Sequence, residues 1–141
     1  MPIPASYQRA SVEFEKFMLD ARDIAGLATT NMAYNMVVGV LHTFRRRLSV
    51  QEAIGFANVL PAVLAAIFVS DWDPSEAKAE FTDRAAMTQE VKSLRAEHNF
   101  SPDTAIHDVA TALRRNVIQP EFDHYLASLS AVAQDYWRVD R

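Results

Sequence analysis

Two short basic runs, Arg45-Arg46-Arg47 and Arg114-Arg115, are the residues whose type and spacing most readily suggest chemistry in this chain. Clustered guanidinium groups hold phosphate or carboxylate oxygens through paired N–H donors, so both runs are candidate contacts for an anion or a nucleic acid. Two observations weigh against nucleic acid. Its binding rests on neutralising several phosphates, yet the chain's formal charge is −4, and no stacking aromatics interleave with the arginines. The bland alternative is that cations at the C-terminal end of a helix offset its dipole and its exposed carbonyls, at about 0.3–1 kcal/mol each. Glu52 also lies within reach of a pairing.

Other constellations fall short of a site. Glu121-Phe122-Asp123-His124 contains the Glu-x-x-His pair that di-iron bundles use, but those need a second pair and further glutamates from two more helices. Glu121 beside Pro120 reads instead as an acid in a first helical turn. The histidines are His42, His98, His107 and His124; Asp103 and His107, four apart, can pair, whereas the adjacent Asp123 and His124 point in different directions. No Gly-x-Ser-x-Gly elbow occurs, and only 3 glycines leave little room for a strained nucleophile turn, an anion nest or a phosphate loop. The absence of cysteine removes disulfides, thiolate nucleophiles and zinc fingers together. No catalytic, metal-binding or cofactor-binding residue is assigned, and the balance leans away from an enzyme. Trp72, Tyr136 and Trp137 are candidate interface aromatics, with Phe56, Phe68 and Tyr125 nearby in the pattern. They would be buried if two helical units met through these ends, and would otherwise offer an apolar patch to a partner or a second copy.

These residues must be positioned by helices. The chain has 141 residues, half of them hydrophobic and 23% charged, which suits a soluble globular domain. Three Gly and 6 Pro are too few for the turns of a β-rich chain. The most apolar stretch, Val59 to Val69, is shorter than the ~20 residues of a spanning helix and contains Pro61, so it is expected to be a core helix. No basic region followed by an apolar run opens the chain, and the expected location is the cytoplasm, with no membrane contact.

Periodicity predicts about eight short helices. Phe14, Phe17, Met18, Ala21 and Ile24 form one stripe, which Gly26 ends. Thr29 or Thr30 caps a second helix with a stripe from Met32 to Leu48, and Ser49-Val50-Gln51-Glu52 has capping-box form before a third. Pro61 fits the first turn of a fourth. A charged linker follows, with Trp72 and Phe81 as anchors. The pattern then recurs: Met87, Val91 and Leu94; a start at Ser101-Pro102-Asp103 with Ile106, Val109, Leu113 and Val117; a start at Pro120-Glu121; and a last helix reaching Tyr136-Trp137. A shift of 73 carries Phe14 onto Met87 and Phe44 onto Val117; a shift of 69 carries Phe56 onto Tyr125, Leu60 onto Leu129 and Gly55 onto His124. The expected architecture is all-α, two pseudo-repeated four-helix units packed as one compact domain. An N-terminal extension covers 1–10, the first unit 11–71, a linker 72–81 and the second unit 82–138.

The stretch Val40-Leu41-His42-Thr43-Phe44-Arg45-Arg46-Arg47-Leu48-Ser49 through Glu52-Ala53, then Leu60-Pro61, Ile67-Phe68 and Asp71-Trp72-Asp73-Pro74, resembles the domain of unknown function 2267 family. The resemblance spans roughly residues 10 to 138 and implies a bacterial tandem of helical units. The second half departs from the pattern, with Ser130 where Pro61 stands and Asn116-Val117-Ile118 in place of the arginine-leucine element. The family carries no established activity, so no functional residue is transferred. The function expected is a non-enzymatic interaction or accessory module, engaging a protein partner or a second copy as a homodimer. Nucleic-acid binding through Arg45–Arg47 and Arg114-Arg115 is the alternative, and an enzyme comes third.

Overall fold

A computed structural model describes residues 3–139, and among these the chain is helical with no strand. The helices are α1 (Ala5–Gln8), α2 (Ala10–Ala25), α3 (Thr30–Arg45), α4 (Val50–Ala57), α5 (Ala62–Val69), α6 (Arg84–Ser93), α7 (Ala105–Arg114), α8 (Gln119–Leu126) and α9 (Ala131–Tyr136). A short 3₁₀ turn at Ala96–His98 lies between α6 and α7. Among the described residues no single helix is long and apolar enough to cross a membrane.

Local chemistry sets most of the boundaries. Gly26 ends α2 in the left-handed region at φ 70°, where a residue without Cβ meets no steric penalty. The Thr29 side chain caps α3 by accepting from the Met32 N–H. Ser49 and Glu52 form the full capping box: the Ser49 N–H donates to Glu52 Oε1 at 2.8 Å, and the Glu52 N–H donates to Ser49 Oγ at 3.1 Å. Glu52 is thus engaged in the cap rather than with an arginine.

Three boundaries differ from expectation. Pro61 is the N-cap of α5 and not part of its first turn. The helix expected from Ser101 begins at Ala105 instead. Asn99 Nδ2 donates to the carbonyls of Val91 and Leu94 at the end of α6, while its Oδ1 accepts from both the Ser101 N–H and the Ser101 hydroxyl. These bonds tie Ser101 into a local Asx turn that faces back toward α6. Lastly, α7 ends at Arg114, so Val117 lies beyond it.

The buried apolar residues form one cluster drawn from both sides of the linker. The first helical face buries Phe17, Met18 and Ala21, as its stripe predicts, and α3 buries Ala33, Met36, Val37, Val40, Leu41 and Phe44. Packing runs crosswise: α2 lies on α7, α3 on α6, and α4 on α8. An aromatic group sits where these elements meet. The Phe44 ring lies 4.9 Å from both Phe56 and Tyr136, and Phe56 stacks on Trp137 at 5.5 Å. Trp72 and Phe81, from the segment between α5 and α6, pack against this cluster and anchor that segment.

Candidate functional site

The arginine runs stand at the C-terminal ends of α3 and α7, and their guanidinium groups differ in burial and in partners. Arg45 is 6% exposed. Its Nη1 donates to the carbonyls of Phe68 and Ser70 at 2.9 and 2.8 Å, closing the C-terminus of α5, and Trp72 covers it at 5.4 Å. No carboxylate pairs with Arg45 among the described residues; the dipole of α5 meets its charge instead. Burial pushes the Arg45 guanidinium below its ordinary pKa, against the pull of Glu76 and Asp71.

Arg47, also 6% exposed, grips Glu90 of α6 with Nη1 at 2.9 Å and Nη2 at 3.2 Å. The same side chain donates to the carbonyls of Thr43 and Glu80. Burial raises the Glu90 pKa, but the hydrogen bonds and charge of Arg47, with Arg46 behind it, outweigh that and hold the carboxyl below its usual range. Arg46 faces outward and bridges Glu76 and Glu90 at 3.4 and 3.3 Å. The three neighbours therefore do not form one open basic patch.

Arg114, half-buried, likewise reaches the end of a later helix but also holds a carboxylate. Its Nε donates to the carbonyl of Trp137 at 2.9 Å, its Nη1 pairs with Asp123 at 2.8 Å, and it lies over the Phe122 ring. Arg115 is exposed and forms no ion pair among the described residues. The two runs thus contribute one unpaired, outward guanidinium. Tyr136 and Trp137, read above as an interface, are 1% and 0% exposed and so sealed inside the chain; Trp72 is half-buried. Burial drives the Tyr136 phenol far above its ordinary pKa, and its hydroxyl donates to the Val40 carbonyl at 2.7 Å.

The remaining titratable groups are dispersed. His42 Nε2 lies 2.9 Å from the carbonyl of Ile67, and desolvation lowers its pKa. Asp103 binds Lys92, not His107. No group of three or more His, Cys, Asp or Glu side chains converges to hold a metal among the described residues.

A cleft of about 700 Å³ opens beside Arg115. Its apolar lining comes from Val59, Leu60, Pro61, Ala62 and Ala65 of the α4–α5 turn and α5, and from Val117 and Ile118 of the α7–α8 turn. Tyr7, Glu13, Lys16, Asn58, Asn116 and Glu121 line it with polar groups. Lys16 is tied down, donating to Asp20 at 3.2 Å and to Asn116 Oδ1 at 3.0 Å, while Asn116 Nδ2 donates to Asp20 and to the Ala112 carbonyl. Burial works against Asp20, yet these bonds and charges keep its pKa low. Sequence reasoning missed this cleft. The four-residue spacing of Lys16 and Asp20 was a visible signal for the pair, but the part played by Asn116 depends on the crossing of α2 and α7.

Comparison with curated proteins finds no match to the chain. A family described as "Uncharacterized conserved protein (DUF2267)" matches residues 14–136. That span includes every helix from α3 to α9, most of α2, and the paired arginines, and the chain belongs to the DUF2267 family.

Proposed function

We propose that this protein is a non-enzymatic binding module that engages a protein partner through the cleft between α2, α5 and the α7–α8 turn. The observation that carries this reading is the cleft itself, lined by apolar and polar side chains together and bordered by the one arginine of the two runs left outward and unpaired among the described residues. Ligand sites are concave and mostly apolar, with a few polar groups that fix orientation. Nucleic acid is the weaker reading, because four of the five run arginines are already engaged within the chain.

We also infer that the chain is a tandem of two related four-helix units. Supporting this, Arg45 bonds the carbonyl of Phe68 and Arg114 that of Trp137, each 23 residues on. Arg47 joins the carbonyl of Thr43 to the Glu90 carboxylate, and Asn116 joins that of Ala112 to Asp20. A single shift of 69 relates all the carbonyl partners, which places Phe44 opposite Leu113 rather than the Val117 that a shift of 73 gives. The crosswise packing of α2 on α7 and of α3 on α6 is the reciprocal arrangement expected of a two-fold pair.

The experiment compares partners captured by the full chain and by Ala62→Arg, which plants a long cation in the cleft, with circular dichroism checking the fold. Proteins retained by the parent and lost by the variant are the expected result. An unchanged set, or affinity for DNA at physiological salt that falls on Arg46→Ala/Arg115→Ala substitution, overturns the reading.

A further inference from the structure

The segment before α6 shows how the end of α3 is covered in this chain. Ala79 donates its N–H to the Arg46 carbonyl at 2.9 Å, and the Glu80 carbonyl accepts from Arg47 Nε at 2.9 Å. Glu76 pairs with Arg46 at 3.4 Å, and the Phe81 ring packs 6.1 Å from that of Phe44. Residues 76–81 therefore form a strap fixed by an acid, a main-chain N–H three positions later, and an aromatic two positions after that.

At the shift of 69, Arg46 and Arg47 correspond to Arg115 and Asn116, which line the open cleft. Among the described residues no segment pairs with Arg115 there. The residues in the strap's place, near positions 7–12, are mostly coiled into α1 and the start of α2, and Tyr7 stands on the rim. The Arg115 carbonyl accepts no hydrogen bond among the described residues, and its guanidinium has no carboxylate, whereas Arg46 has both. The cleft therefore holds, uncovered, the counterparts of the two arginines that the strap engages, while Leu113, the counterpart of Phe44, is buried outside it.

Resting on the reading of this cleft as the partner site, we propose that it takes a non-helical segment of a partner protein patterned like the strap. An acid would pair with Arg115, an N–H three residues later would meet the Arg115 carbonyl, and a large apolar side chain two residues beyond would lie on Val59, Pro61, Ala65 and Val117. Main-chain hydrogen bonds supply affinity in this mode, and the seated side chain supplies selectivity. Asn116 in the place of Arg47 removes one donor to the segment, and Glu13 and Glu121 on the rim select against acids elsewhere along it.

The probe is a synthetic peptide with the sequence of residues 74–83, titrated into the ¹⁵N-labelled full chain. Shifts confined to residues 57–65 and 115–118 are expected, with a dissociation constant on the order of a millimolar or tighter. Replacing the peptide's Phe81 by alanine should weaken binding at least tenfold, on the order of the burial energy of one aromatic side chain. Arg115→Glu in the protein should weaken it about threefold, as exposed ion pairs do, and Glu76→Arg in the peptide should restore it. No shifts at millimolar peptide, or shifts centred on Phe44 and Arg47 from displacement of the chain's own strap, overturn the proposal. If the peptide fails while a captured partner still perturbs residues 57–65 and 115–118, the segment is wrong and the module stands. If Ala62→Arg loses no partner, the module itself fails.

Discussion

Arg45, Arg46 and Arg47 are neighbours in the chain with three different fates, and the difference sets what their substitution costs. Removing Arg47 leaves the Glu90 carboxylate to Arg46 alone and strands two carbonyls, so Arg47→Ala should lose about 1–3 kcal/mol, the cost of unpaired, partly buried polar groups. Arg46→Ala should lose no more than about 1 kcal/mol, the scale of an exposed pair. Urea unfolding of the two variants checks the contrast; equal losses would contradict the assigned roles. The pH dependence is also a residue-scale matter. The His42 pKa is depressed below 6.5, so the unfolded chain takes up that proton first. Its contribution is therefore complete above pH 6.5 and declines as pH falls below it. Glu90 is depressed below 4.5, so its contribution is complete above pH 4.5 and is lost as pH falls through its folded value. Denaturation midpoints across this range should show two successive declines, with His42→Gln removing the upper one and Glu90→Gln the lower. At this scale the sequence showed that the arginines were unusual but not which faced inward, because one residue turns a helical side chain by about 100°.

The helices were legible where local chemistry decides them and illegible where two elements compete for one side chain. Gly26, Thr29 and the Ser49–Glu52 box act within one turn, and all three appear where the pattern put them. Ser101 is not a helix start: it is tied into a turn with Asn99, whose amide holds the end of α6, and the next helix begins at Ala105. Gly39 marks a contact between elements. A Cβ there would come within 2.9 Å of the Val91 carbonyl oxygen on α6, so α3 and α6 approach only because that atom is missing. Alanine is the better helix former by about 1 kcal/mol. Gly39→Ala should nonetheless destabilise, by about 1–3 kcal/mol, because the facing atom is backbone and cannot yield as a side-chain tip would. Thermal or urea unfolding decides the sign, and a gain in stability would mean that α6 shifts freely.

Across the whole molecule, the same crosswise packing explains both why the all-helical class was readable and why the site was not. Stripes such as Phe17, Met18 and Ala21 announce a buried face whatever covers it, whereas the cleft is made where turns from distant parts of the chain meet. The aromatic residues show the same division. Their apolar character was plain, but whether Tyr136 and Trp137 faced a partner or Phe44 and Phe56 depended on how the halves close on each other. Packing of the helices buries those rings; residues 76–81 cover the C-terminal end of α3, and the C-terminal end of α7 borders the cleft. We propose that the cleft at the end of α7 is a binding seat for a strap-like segment. The decisive experiment uses a peptide copy of residues 74–83 carrying photoreactive benzoylphenylalanine at the Phe81 position, irradiated with the full chain and mapped by mass spectrometry. Adducts on residues 57–65 and 115–118 are predicted; adducts around Phe44, or spread evenly over the surface, would contradict the account.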